Sequence, residues 1–186
     1  MEIRKAVRAD IARIMEIVAE AREYFADAGI PQWQGEYPSQ NDFLSDIEDG
    51  RLYVAYDGDV LGVYCYDNRG DRNYDVISDG SFALDEPYAA IHRVAVAGDA
   101  KGRGIAGKMV EHAVTLARSE GFRYMRGDTH RLNSSMQRIF IKNGFTRRGI
   151  IYLDGKKDSE NERFAFDRIL EPRQEEGKAK SEKRLC

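Results

Sequence analysis

Charged and apolar residues alternate over residues 2–8 (EIRKAVR), the period of two expected of a half-buried strand. The period then changes. Ile11, Ile14, Met15, Val18, Ala21 and Phe25 recur at spacings of three and four, which predicts an amphipathic helix. Asp10 can cap it, and Ala28-Gly29 can end it, with Pro31 just beyond. Residues 30–38 (IPQWQGEYP) read as a loop holding the only Trp. Ser39 and Asp42 have capping-box spacing, so a short second helix is expected over residues 40–49. Residues 51–56 and 60–66 are rich in Val, Leu and Tyr and flank Asp57-Gly58-Asp59, a hairpin turn signal. Residues 68–80 are polar and rich in Gly and Asp, which predicts a loop or a poorly ordered connection. A strand is expected over residues 89–96 (AAIHRVAV). Residues 103–120 carry the strongest helical stripe: Ala106, Met109, Val110, Ala113, Val114 and Ala117, stopped by Gly121. A strand over residues 122–127 follows, and then a helix that Asn133 can cap and Asn143-Gly144 can end. The last two strands, residues 145–153 and 162–169, join around Asp154-Gly155.

This order, β-α-α-β-β-β-α-β-α-β-β, predicts an α/β protein with one mixed sheet and helices on its faces. A wholly parallel sheet would need a more regular alternation. The length of 186 residues allows one domain, expected over residues 1–170. In residues 171–186, nine of sixteen are charged and Leu185 is the single aliphatic, so a disordered tail is expected there. Charged residues reach 33%, and no run of about 18 apolar residues exists to cross a membrane. The opening MEIRKAVRAD is charged where a signal peptide needs an apolar run, so a cytoplasmic protein is expected. The net charge of −3 argues against nucleic acid or an anionic membrane as partner. Cys65 and Cys186 cannot build a disulfide framework, and no Cys or His pair stands at zinc-finger spacing, so no metal is expected.

The segment with most chemistry is VAVAGDAKGRGIAGK, residues 94–108. A strand runs into a glycine-rich turn that opens an amphipathic helix. Free backbone N–H groups and the helix dipole make such a turn an anion site. Three phosphate ligands fit in principle. Gly102, Gly104 and Gly107 match G-x-G-x-x-G, and Asp128 ends the next strand, about where a ribose-binding acid belongs. That fingerprint, however, wants its first glycine directly after the strand, and here five residues intervene. Gly102 and Gly107-Lys108 nearly match a P-loop, but Met109 stands where the magnesium-binding hydroxyl belongs.

The third reading is a resemblance. Lys101-Gly102-Arg103-Gly104-Ile105-Ala106 resembles the [QR]-x-x-G-x-[GA] pyrophosphate loop of the GNAT superfamily of acyl-CoA-dependent N-acetyltransferases. Asn133, ten residues of helix and then Gly144-Phe145 are similar to that family's N-x(10)-G-F signature. The opening strand, Asp10 and first helix are similar to its N-terminus. The resemblance spans about residues 2–169 and implies the GNAT fold, with acetyl-CoA as cosubstrate and an amine as acceptor. It implies that the amides of Gly102, Arg103, Gly104, Ile105 and Ala106 hold pyrophosphate. Lys101 stands where the family has Gln or Arg. Val94, Ala95 and Val96 would line the pantetheine arm, with Asn133 and Phe140 on its other side.

The attacking amine must be neutral, which calls for a base. His92, on the central strand, is the first candidate; period-two alternation puts it on the same face as Val94. His130 and Asp128, at the end of the neighbouring strand, are further candidates. The resemblance implies a tyrosine as proton donor four residues before Gly144, but this chain has Phe140 there. Tyr124 and Tyr152 are substitutes to consider, or the thiolate leaves without an acid. A non-catalytic acyl-CoA-binding module is the alternative. For the acceptor, Tyr24, Trp33 and Tyr37 lie in the first helices and their connecting loop. Beside Glu36 and Asp42 they would suit a cationic amine, either a small molecule or a peptide. A homodimer through the last strands is conceivable on this fold.

Overall fold

The computed structural model describes residues 1–170; the charged tail lies outside the described residues. The elements run in the order the periodicities predict: β1 (Glu2–Lys5), α1 (Ile11–Asp27), α2 (Gln40–Glu48), β2 (Leu52–Tyr56), β3 (Val60–Asp67) and β4 (Ala89–Val96). They continue with α3 (Ile105–Ser119), β5 (Tyr124–His130), α4 (Ser134–Lys142), β6 (Thr146–Tyr152) and β7 (Glu162–Ile169). The strands form one sheet in the order β1-β2-β3-β4-β5-β7-β6, and only β4 and β5 run parallel. α1 and α2 pack on one face and α3 and α4 on the other. Tyr64 and Tyr66 point from β3 to the α3 side. Tyr64 Oη lies 2.6 Å from His112 Nδ1, and Tyr66 donates to Glu120 at 2.9 Å. Cys65, between them, faces the other way, toward Arg51. Most of the predicted stripes of α1 and α3 are buried, with Ile17 and Ile105 added, while Ile11, Met15 and Ala106 are partly buried. Each fully buried Ile, Val, Met or Phe among them contributes roughly 1.5–3 kcal/mol on leaving water.

Local chemistry corrects several expectations. Asp10 does not cap α1 with its side chain. Its carboxylate instead takes both Arg4 nitrogens, at 2.8 and 2.9 Å, and the Val7 N–H at 2.9 Å. That knot ends β1 at Lys5, short of residue 8. Ser39 caps α2 as expected, and the Asp42 carboxylate returns to the Ser39 N–H at 2.7 Å. β5 runs on to His130 because β7 pairs it from Tyr124↔Ile169 through His130↔Arg163. Asp128 and His130 are therefore strand residues. The polar stretch after β3 is pinned down. It forms a turn at Arg72–Tyr74 and an isolated bridge between Ser78 and Ile150, with bonds of 2.7 and 2.8 Å. Glycine is needed opposite: a β-carbon at Gly149 would stand 2.5 Å from the Ser78 carbonyl oxygen. Tyr74 is buried here in a second small core with Ala90, Ile151 and Ala165. No helix among the described residues is long and apolar enough to cross a membrane.

The feature that positions the site is a divergence in mid-sheet. β4 and β5 pair only at Ala89–Ile91 with Met125–Gly127. Beyond that point the strands separate, and residues 92–96 keep β3 as their strand partner. An unpaired backbone edge therefore faces the gap.

Candidate active site

A cleft of about 1070 Å³ occupies that gap. One end is the glycine turn. Gly102 and Gly104 adopt φ of 80° and 75°, left-handed backbone that L side chains resist by roughly 1–2 kcal/mol. A β-carbon at either would meet nothing within 4 Å, so the need for glycine is conformational and the space in front of the turn is open. Gly104 is the N-cap of α3 and brings no side chain to cap it. The first backbone bond of α3 runs from the Lys108 N–H to Gly104 at 3.1 Å. The preceding amides, at residues 105–107, are left free by helix geometry and lie at the positive end of the dipole. Lys101 holds its ammonium 4.2 Å over the Tyr24 ring. Val94, Ala95 and Val96 line the same cleft from the unpaired edge of β4. Asn133 accepts the Met136 N–H at 3.1 Å, which caps α4, and its own amide approaches Gln32 at 3.4 Å.

The other end is built from side chains. β4 carries a bulge: Cys65 pairs with His92, but Val63 pairs with Ala95, and Arg93 takes φ of 54°. The bulge breaks the alternation, so Ala95 and not Val94 shares the His92 face. Asp46 of α2 holds Arg93 at 2.7 Å and Arg51 at 2.9 Å, and the Arg93 guanidinium covers the Tyr37 ring at 5.3 Å. His92 sits between two carboxylates, with Nε2 3.7 Å from Asp71 and Nδ1 4.0 Å from Asp128. The Tyr74 ring stacks on the imidazole, with centroids 6.0 Å apart. Tyr74 donates to Asp128 at 2.7 Å. Burial, and then the Asp128 carboxylate, push the Tyr74 hydroxyl well above its ordinary pKa, so it stays a donor. Among the described residues no group of three or more His, Cys, Asp or Glu is arranged to hold a metal ion.

Other expected residues fall elsewhere. His130 is 1% exposed and both its nitrogens are committed. Nδ1 accepts the Leu132 N–H at 3.2 Å, and Nε2 faces the Ser159 carbonyl at 2.9 Å. Its pKa is lowered by burial. It sits at the end of β5 and does not line the cleft. Tyr24 belongs to the glycine-turn end, with its hydroxyl 3.5 Å from Ser135. Trp33 is half-buried edge-on against Phe25, 5.6 Å between centroids, and lines the cleft. Asp42 is engaged in the cap of α2 and does not line the cleft, whereas Glu36 does. Tyr124 donates to Asp167 at the far end of β5 and does not line the cleft. Phe140 lines the cleft while stacking on Phe166, and its ring edge lies 2.7 Å from where a Gly127 β-carbon would stand. The sequence alone did not point to Asp71, Tyr74, Asp46 or Arg93. The one usable signal was Tyr74, the single aromatic in a mostly polar stretch.

The chain matches the model of the acetyltransferase (GNAT) family over residues 13–145. No curated protein matches the sequence. Among solved structures, an acetyltransferase of the GNAT family from Streptococcus agalactiae is 32% identical, with a TM-score of 0.81; 91% of this chain and 95% of that one are covered. A ribosomal-protein-alanine N-acetyltransferase from Brucella melitensis is similar in fold, at 20% identity and a TM-score of 0.66, covering 91% of this chain and 100% of that one. So is a phosphinothricin acetyltransferase from Sinorhizobium meliloti solved with acetyl-CoA, at 20% identity and a TM-score of 0.62, covering 91% and 88%.

Proposed function

The chain belongs to the acetyltransferase (GNAT) family, and we propose that it moves an acetyl group from acetyl-CoA to a primary amine by direct attack within one cleft. The observation that carries this reading is that the His92 cluster, the unpaired β4 edge and the glycine turn open into one cleft. The residues fit the cosubstrate: free amides at the start of α3 and the cations Lys101 and Arg103 suit a pyrophosphate. When bound, acetyl-CoA supplies the acyl group as a thioester.

The chain's own residues do the rest. An N–H on the unpaired edge of β4 polarises a carbonyl, acting as a fixed donor that needs no reorganisation. His92 takes the proton from the attacking amine. Asp71 and Asp128 stabilise the positive charge that arrives on the imidazole, and Tyr74 keeps Asp128 in place. Phe140 supplies no proton at the usual tyrosine position. A thiol is acidic enough to leave as its thiolate without a proton donor. The acceptor is a small-molecule or peptide amine.

Release of free thiol from acetyl-CoA, followed with and without a panel of primary amines, tests the reading. Amine-dependent, saturable release with an acetylated product is expected. Tight acetyl-CoA binding without amine-dependent release would contradict it and favour the non-catalytic module.

A further inference from the structure

Among the described residues two arginines are buried to 6% exposure, Arg126 and Arg163. A buried guanidinium needs compensation for its charge as well as partners for its N–H groups. Arg126 has both. It lies between the Phe82 and Tyr88 rings, 3.8 and 4.0 Å from their centroids, and donates to the Leu84 carbonyl at 3.1 Å. Arg163 has only carbonyls. One of its three nitrogens, Nη1, donates to Glu160 at 2.5 Å and Glu162 at 2.9 Å. Among the described residues no carboxylate pairs with it and no aromatic ring faces it. Burial pulls its pKa below the ordinary guanidinium value, opposed chiefly by the Asp128 carboxylate.

The side chain lines the cleft at its acceptor end. In the β5–β7 ladder Arg163 stands opposite His130, and Ala165 stands opposite Asp128. Arg163 and Asp128 are therefore diagonal neighbours on one sheet face, about 7–8 Å apart along the backbone. A small molecule spanning them meets a cation at one end and the His92 cluster at the other.

We propose that Arg163 anchors an acid group of the acceptor, so the acceptor is a small primary amine carrying a carboxylate a few bonds from its nitrogen, as an amino acid does. This rests on the acyl-transfer reading above. The carboxylate takes the unused donors of the guanidinium, and the nitrogen is left beside His92, Asp71 and Asp128. A fork of two parallel N–H bonds selects a carboxylate over a neutral amide or a bare alkyl chain. A peptide N-terminus without a nearby carboxylate lacks that handle.

The test uses the full chain, acetyl-CoA and matched acceptors: the common amino acids, their carboxamides and the corresponding amines without the acid. Thiol release and product mass are read for the wild type, Arg163→Lys and Arg163→Gln. The expected wild-type preference for the acid over its carboxamide is at least about 100-fold in kcat/KM, the scale on which buried polar groups left unpaired reject an analogue. Arg163→Gln should lose that preference and Arg163→Lys should keep part of it. Both variants should still gain melting temperature with acetyl-CoA, which shows that they fold. A wild type that uses carboxamides or plain amines as well as acids would overturn the anchor and leave acyl transfer standing. So would an Arg163→Gln variant that keeps the full preference. No turnover with any acceptor, by a chain that acetyl-CoA stabilises, would overturn both.

Discussion

The two ends of the cleft are made of different material. At the glycine turn the groups offered to a ligand are backbone N–H bonds, set by two left-handed glycines and the first turn of α3. All of them come from one stretch of sequence. At the acceptor end the groups are side chains: Asp71 and Tyr74 from the pinned connection, His92 from β4, Asp128 from β5 and Arg163 from β7. They meet only because β4 and β5 diverge and the connection after β3 folds back against Ile150 and Ile151. A backbone site tolerates changes of neighbouring side chains but not of its glycines. A side-chain site can be retuned residue by residue while the fold stays. Under the proposed function, local conformation would hold the cosubstrate and tertiary assembly the acceptor.

The strongest way to break the comparison is at the glycine turn. Gly104→Glu puts a carboxylate and a β-carbon at φ 75° in front of the free amides. At 100 times its dissociation constant, acetyl-CoA stabilises the wild type by about 2.7 kcal/mol, a rise of roughly 5–10 °C in melting temperature. The variant should fold and show no rise. Next in size is the other end. His92→Gln should lower kcat by about 10²–10³-fold with the acetyl-CoA melting shift intact. The deficit should narrow as pH rises, because more of the amine is then neutral without help. An equal loss at every pH would remove His92 from the proton transfer.

Phe140 joins the two ends, and the effect expected there is smaller. In Phe140→Tyr the hydroxyl grows from the ring edge that already presses on Gly127. Overpacking of this kind costs about 1–3 kcal/mol, a loss of several degrees in melting temperature. Turnover should change far less than the roughly 10²-fold that a positioned proton donor supplies. The mildest effect concerns His130. Its folded pKa lies below the ordinary 6.5, so the unfolded chain takes up a proton first on acidification. Its contribution to stability is fully present above about pH 6.5 and is lost as pH falls through the folded pKa. The melting temperature should decline from pH 7 to pH 5. The decline should be shallower in His130→Asn, whereas a catalytic His130 would show instead as a collapse of turnover.

How much of this was legible in the sequence follows the same division. All eleven helices and strands stand in the predicted order because each carries its own period, and the caps at Ser39 and Asn133 are local chemistry. The glycine turn was legible for the same reason. Asp10 misled because a guanidinium six residues earlier outcompeted the helix N-terminus for its carboxylate. The face assigned to His92 and Val94 failed because alternation does not survive a bulge, and nothing in the β4 sequence marks one; Arg93 at the bulge is held by Asp46, from α2. Tyr74 stood out only as an aromatic, and Arg163 not at all, because their meaning depends on what is absent around them: water for the tyrosine, a carboxylate for the arginine. Neither burial nor an unmatched charge is written in neighbouring residues.

The most direct measurement is an amide titration of isotopically labelled protein with acetyl-CoA. The largest shifts are expected at the N–H groups of residues 102–107 and along residues 92–96 of β4, with β1 and β2 unmoved. Shifts centred on another part of the sheet, or a glycine turn that does not respond at saturation, would contradict that expectation.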